Sequence, residues 1–185
     1  MGAAELIIVS DIFGRTPELL DLASEFSGRY DQFHIVDPYD GLIIEFGSEQ
    51  NAYQHFQEHC RIEKLAELVL EKIAESNALF DLVGFSVGAS AIWSLSETRY
   101  SEKINTAVCF YGSRIRDMLD KAPRFKIQLI FPAHEHHFNV ARLVSVLSKK
   151  INVECIQTKF LHGFLNPRSE NFNADGYREF LGRIT

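Results

Sequence analysis

The chain is predicted to fold as an α/β domain, a parallel sheet of six strands with helices on both faces. Three observations predict it. Six short runs rich in Ile, Val, Leu and Phe, at 6–10, 33–36, 79–85, 104–110, 127–131 and 153–157, mostly lack polar alternation, as strands covered on both faces do. Longer segments with helical signals separate them, the pattern of crossover connections between parallel strands. The 185 residues, 46% hydrophobic and 24% charged, are enough to bury a core in one domain, 1–185, without a disulfide or a metal.

Taken in order, the first run ends in Ser10-Asp11-Ile12-Phe13-Gly14. Thr16-Pro17-Glu18 then supplies an N-cap, a proline at the first helical position and an early acid, and Gly28 is expected to end that helix. The stretch 37–55 after the second run is weakly patterned and reads as a lid or rim loop. Ile62, Leu65, Val69 and Ile73 follow the 3, 4, 4 spacing of one buried helical face. A third helix is expected from about 86 to 95, a fourth from 140 to about 149, and a last one over roughly 174–181. There is no internal repeat, low-complexity tract or linker.

Composition removes several classes of function. Lys and Arg total 19 against 25 Asp and Glu, a formal net charge of −6, and no long basic run exists, so nucleic acid is not an expected partner. Cys60, Cys109 and Cys155 cannot all pair, and each sits in an apolar segment, which reads as buried thiols in a reducing compartment. No apolar run is long enough for a membrane span. The opening Met1-Gly-Ala-Ala-Glu-Leu6 lacks a basic region and a long apolar stretch, so no secretory signal is expected. The expectation is a cytoplasmic protein, monomer or homodimer, acting on a small molecule.

In open parallel sheets ligands bind beyond the carboxyl ends of the strands, so the chemistry is sought there. The third strand run is followed by Gly84-Phe85-Ser86-Val87-Gly88, a G-x-S-x-G between strand and helix. A sharp turn there demands small neighbours, which Gly84, Gly88, Ala89 and Ser90 provide. It sets the serine hydroxyl at a helix N-terminus, where amides and dipole favour a developing anion. The bland alternative is a glycine-lined packing contact. A serine needs a base, and the base an orienting acid. In this context the expected chain order is serine, acid, histidine. Glu135, in the run Phe131-Pro-Ala-His-Glu-His-His-Phe138 after the fifth strand, and His162, after the sixth, stand in that order. The backbone N–H groups of Ile12 and Val87 are the expected oxyanion donors. Asp11 either lines the pocket or holds loop amides. Phe13, Tyr39, Tyr111, Phe138 and Phe164 are candidates for an aromatic pocket, and Arg15, Arg114 and Arg168 for meeting an anionic substrate. His134, Glu135, His136 and His137 have metal-ligand side chains. Adjacent histidines aim poorly at one ion, however, and no second cluster follows at metal spacing, so no metal site is assigned.

These residues resemble the dienelactone hydrolase family of α/β-hydrolases. Asp11-Ile-Phe-Gly14 with the Pro17 helix is similar to its E-I-F-G…P opening, and Asp37-Pro-Tyr39 to the stretch that follows. Gly84-Phe-Ser-Val-Gly88 matches its elbow, Ala107-Val-Cys-Phe-Tyr-Gly112 its A-V-x-x-Y-G strand, Phe131-Pro-Ala-His-Glu135 its F-G-x-x-D, and His162-Gly-Phe…Pro167-Arg168 its H-G-F…P-x-R ending. The resemblance spans nearly the whole chain in order. It implies a minimal α/β-hydrolase fold with strand order 2-1-3-4-5-6. Four positions depart from the family pattern. Ser86 replaces the cysteine nucleophile, Glu135 replaces an aspartate, Asp11 is shorter than the usual glutamate, and Arg168 lies further along than the arginine that meets the substrate carboxylate. Dienelactone itself is therefore not implied.

The expected activity is hydrolysis of a small ester, lactone or thioester through Ser86, His162 and Glu135, with no cofactor. The alternative is a non-catalytic, small-molecule-binding or regulatory member of the same fold. A metal-assisted hydrolase is the third reading.

Overall fold

The computed structural model describes residues 4–26, 28–30 and 32–184, the last two in backbone only. Six parallel strands form one sheet: β1 (Glu5–Val9), β2 (Phe33–Val36), β3 (Phe80–Phe85), β4 (Ile104–Phe110), β5 (Lys126–Phe131) and β6 (Val153–Gln157), in the order β2-β1-β3-β4-β5-β6. The order and direction are those expected from the sequence.

The two-residue period of β1 divides the core. Ile7 and Val9 join the cluster on one face, and Leu6 and Ile8 the cluster on the other. The first face is covered by α2 (Glu49–His59), α3 (Arg61–Ala74), α4 (Val87–Ser94) and α5 (Val140–Leu147), through Phe56, Val69, Trp93 and Leu143 among others. On the second, α1 (Pro17–Ser24) contributes Leu22 and α6 (Ala174–Ile184) contributes Phe180. Burial on both faces is what the unalternating strand sequences require. Asp81 is the exception inside β3. It is buried, and its two carboxylate oxygens accept hydrogen bonds from Tyr30 and Asn105, each at 2.8 Å.

Capping fixes the helix starts. Thr16 accepts from the Leu19 amide at 3.2 Å, with Pro17 opening α1, and Asn139 accepts from the Arg142 amide at 2.8 Å to open α5. Three boundaries differ from the sequence expectation. α1 stops at Ser24, four residues short of Gly28, and turns so that Phe26 is buried. α5 ends at Leu147, and α6 runs on to Ile184. The larger difference is α2, which begins inside the stretch expected to be loop. Ser48 caps it by accepting from the Asn51 amide at 3.1 Å, and only Ala52 and Phe56 are buried along it. Two buried positions in eleven residues leave almost no hydrophobic period to detect.

Parallel pairing places Val9 opposite Gly84, Phe85 opposite Phe110, and Phe131 opposite Gln157. The loops that follow β1, β3, β5 and β6 therefore emerge along one edge.

Candidate active site

Ser86 stands alone between β3 and α4 with φ 52° and ψ −109°. An L-residue is seldom found there, and the surroundings must hold it. Its amide donates to the Phe110 carbonyl at 2.9 Å, and its own carbonyl accepts from the Ser90 amide and hydroxyl, each at 3.1 Å. The glycines make the turn possible. A Cβ at Gly88 would strike the Val9 and Ser10 carbonyl oxygens, and one at Gly84 would sit 2.8 Å from the Ala89 nitrogen. The elbow thus packs directly on the end of β1.

The Ser86 Oγ lies 3.0 Å from His162 Nε2, and His162 Nδ1 lies 2.7 Å from Glu135 Oε1. A carboxylate can only accept, so Nδ1 carries the proton and donates to Glu135, which leaves Nε2 as an acceptor for the serine hydroxyl. Two contacts bring the acid and the imidazole together. The Ala133 amide donates to the Phe160 carbonyl at 2.7 Å, and Gln157 Nε2 donates to the Ala133 carbonyl at 2.8 Å, which staples the loop after β5 to the loop after β6. Asn171 Nδ2 donates to the His162 carbonyl at 3.0 Å. Glu135 is 13% exposed in its side chain and His162 31%, so the imidazole stands at the water's edge with its acid behind it.

Val87 is the first residue of α4, so its amide has no acceptor within the helix. Ile12 lies in the loop after β1, which is held from both ends. The Tyr39 hydroxyl donates to the Ile12 carbonyl at 2.7 Å, and Asp11 Oδ1 accepts from the Phe13 amide at 2.9 Å. Asp11 Oδ2 accepts from Asn166 Nδ2 at 2.5 Å. Burial pushes the Asp11 carboxyl above the usual carboxylate range, against the pull of those two donors.

A narrow crevice of about 40 Å3 opens beside Ser86 and His162, walled by Asp11, Ile12, Phe13, Tyr111 and Asn166 with Glu49 at its rim. Ser86, His162, Asp11, Ile12, Phe13 and Tyr111, all singled out in the sequence, meet here. Asn166 and Glu49 were not singled out. Asn166 lies in the His162–Arg168 stretch, and an Asn before a proline reads locally as a turn. Glu49 arrives with the helix that the sequence pattern hides.

Three aromatic residues expected in the pocket lie elsewhere. Phe164 is fully buried in the second core cluster, 5.1 Å from Phe160 between ring centres. Phe138 packs on the first cluster with the Arg116 guanidinium 5.0 Å above its ring. Tyr39 is buried behind the loop it bonds, and its ring closes over Gly14. Aromatic identity near a strand end does not decide which way the ring faces.

The arginines are also engaged away from the crevice. Arg168 pairs with Glu18 at 2.9 Å and Glu45 at 3.0 Å, and Arg114 with Asp117 at 2.8 Å. Arg15 lines a separate groove beside Asp37 and Lys64. His134, His136 and His137 are exposed while Glu135 turns inward, and no cluster of three or more His, Cys, Asp or Glu among the described residues is placed to hold a metal. No helix among them is long and apolar enough to cross a membrane.

No known family profile matches the chain. A curated relative, the uncharacterized protein YczH of Bacillus subtilis (strain 168), is 39% identical over 136 residues, which are 71% of this chain and 65% of YczH. Solved structures match across almost the full chain. A candidate dienelactone hydrolase of Klebsiella pneumoniae superposes with a TM-score of 0.76 at 12% identity, over 98% of this chain and 85% of its own. A dienelactone hydrolase-like promiscuous phosphotriesterase from metagenomic libraries gives 0.68 at 12% identity, over 98% and 83%. The enol-lactonase of Burkholderia xenovorans gives 0.65 at 9% identity, over 100% and 90%. These likenesses establish the α/β-hydrolase fold.

Proposed function

We propose that this protein is a serine hydrolase that cleaves a small ester, lactone or thioester by way of an acyl-enzyme. The observation that carries the reading is the continuous hydrogen-bonded series from the Ser86 hydroxyl through His162 to Glu135. It lies on a strained turn at the helix N-terminus where an oxyanion is best received. The hydrolase names borne by proteins of the same fold are consistent with it.

In this mechanism the Ser86 Oγ attacks the substrate carbonyl carbon while its proton passes to His162 Nε2. The tetrahedral oxyanion rests on the amides of Val87 and Ile12. Collapse expels the alcohol or thiol, which takes the proton from Nε2. Water then repeats the sequence on the acyl-enzyme and frees the acid. Glu135 holds the imidazole in the required tautomer and stabilises the imidazolium. The proposal needs no cofactor.

A fluorophosphonate probe with mass mapping tests it. Labelling is expected on Ser86, abolished in Ser86→Ala, with hydrolysis of an activated ester falling roughly 10^4- to 10^6-fold. A folded protein that stays unlabelled and inactive would instead mark a small-molecule-binding module on the same scaffold.

A further inference from the structure

Two hollows meet at one hydrogen bond. Asp11 and Asn166 both line the crevice beside Ser86 and His162, and both also line a second hollow of about 20 Å3 against α1. Between them Asn166 Nδ2 donates to Asp11 Oδ2 at 2.5 Å. The pair is therefore a partition shared by the two spaces. Each side chain is anchored at its other atom. Asp11 Oδ1 accepts from the Phe13 amide and Asn166 Oδ1 from the Arg168 amide, each at 2.9 Å. Parting the bond between them leaves both anchors in place.

The second hollow suits carbon. Leu19, Leu22, Phe85, Leu165 and Pro167 supply most of its wall. Its other polar side chains are already engaged. The Thr16 hydroxyl accepts from the Leu19 amide at 3.2 Å, and Glu18 pairs with Arg168 at 2.9 Å. A polar group entering there would lose its water for no free partner, whereas a methyl or methylene gains by burial. The volume has room for about one or two carbon atoms. Phe85 directly precedes the nucleophile, and Asp11 precedes the oxyanion donor Ile12, which sets the hollow on the acyl side of the scissile bond. The leaving group departs on the other side, beside the imidazole that protonates it.

We propose that this hollow is the acyl-chain subsite and that Asn166 is the specificity residue that sets acyl length. With the Asp11–Asn166 bond closed the crevice holds an acetyl group, and a butanoyl chain parts that bond to seat its end among the leucines. This rests on the Ser86 reading for the place and direction of the scissile bond.

The test compares phenyl acetate with phenyl butanoate, which share a leaving group. The ratio of kcat/KM for butanoate over acetate should rise about tenfold in Asn166→Ser, the scale of one hydrogen bond. Serine keeps an acceptor for the Arg168 amide but is too short to reach Asp11. Leu19→Phe fills the hollow, so it should lower the ratio in the parent and cancel the gain in the double variant. A ratio unmoved by Asn166→Ser, or a gain that survives Leu19→Phe, overturns the proposal. Should Asn166→Ser fail to fold, the parent against Leu19→Phe decides, and an unchanged ratio overturns it. A second readout needs no turnover. On Ser86→Ala, phenyl butanoate should shift the methyl NMR signals of Leu19 and Leu22, and phenyl acetate should leave them in place. Shifts from neither ester mean that the hollow stays empty, and equal shifts from both mean that it takes the leaving group; either overturns the proposal. An unlabelled, inactive Ser86 would sink the hydrolase reading while the methyl signals still report whether the hollow fills.

Discussion

Ser86 and Tyr111 each hold a positive φ at the carboxyl end of a central strand, and each is kept there by what surrounds it. For Ser86 the clamp is the close approach of Gly88 to β1. Gly88→Ala is expected to lose at least about 2 kcal/mol, because its Cβ would meet backbone carbonyls that cannot swing away. A urea titration reads this, and a midpoint like that of the parent would show that β1 gives way. For Glu135 the reach matters, since its carboxylate stands 2.7 Å from His162. Glu135→Gln keeps the shape and removes the charge that holds the tautomer, so hydrolysis should fall roughly 10^3- to 10^4-fold with the fold intact. Equal rates for the two proteins would leave Glu135 without an orienting role. Tyr111→Phe should behave in the opposite way for stability. Deleting an unsatisfied buried hydroxyl removes a cost of about 1–3 kcal/mol, so thermal unfolding should occur at the same or a higher temperature. A clearly lower Tm would mean that the hydroxyl has a partner in solution.

At the level of elements, the strands were legible because burial on both faces leaves continuous apolar runs, while their order was implied by the family resemblance. The serine turn was legible because only small residues permit it, and Glu135 and His162 because both follow strands at the ligand-binding edge. What was hidden has a common cause. Which way Phe138 and Phe164 face is decided by packing from distant elements, and α2 carries too few buried residues for a period to emerge. That helix matters to the site, because its first residue, Glu49, stands at the crevice rim just after the Ser48 cap. Ser48→Ala should cost about 1 kcal/mol by freeing the first-turn amides. Faster hydrogen exchange confined to the start of α2 is the expected signature, and unchanged exchange there would show that tertiary contacts, not the cap, hold the helix.

Across the whole molecule, five buried thiols and phenols share one direction of response to pH. Burial raises the Cys60 thiol to about 11 and the Tyr30 phenol to about 12, the latter helped by its bond to Asp81, and it raises Cys109, Tyr39 and Tyr111 further. Each of these groups keeps its proton in the folded chain at a pH where the unfolded chain has released it. The unfolded state then binds fewer protons, so stability falls as pH rises. The stabilisation is fully present below the unfolded values, near 9 for the thiols and 10 for the phenols, and is lost through the folded ones. For Tyr30 alone the loss falls between pH 10 and about 12. Urea midpoints measured from pH 8 to 11 should therefore decline, steepening above pH 10. Tyr30→Phe should start lower at pH 8, because Asp81 then keeps only its Asn105 partner. Its decline above pH 10 should be shallower than the parent's, since one titrating group has gone. Parallel declines in the two proteins would remove Tyr30 from the account and leave the alkaline loss to the buried thiols and the remaining phenols.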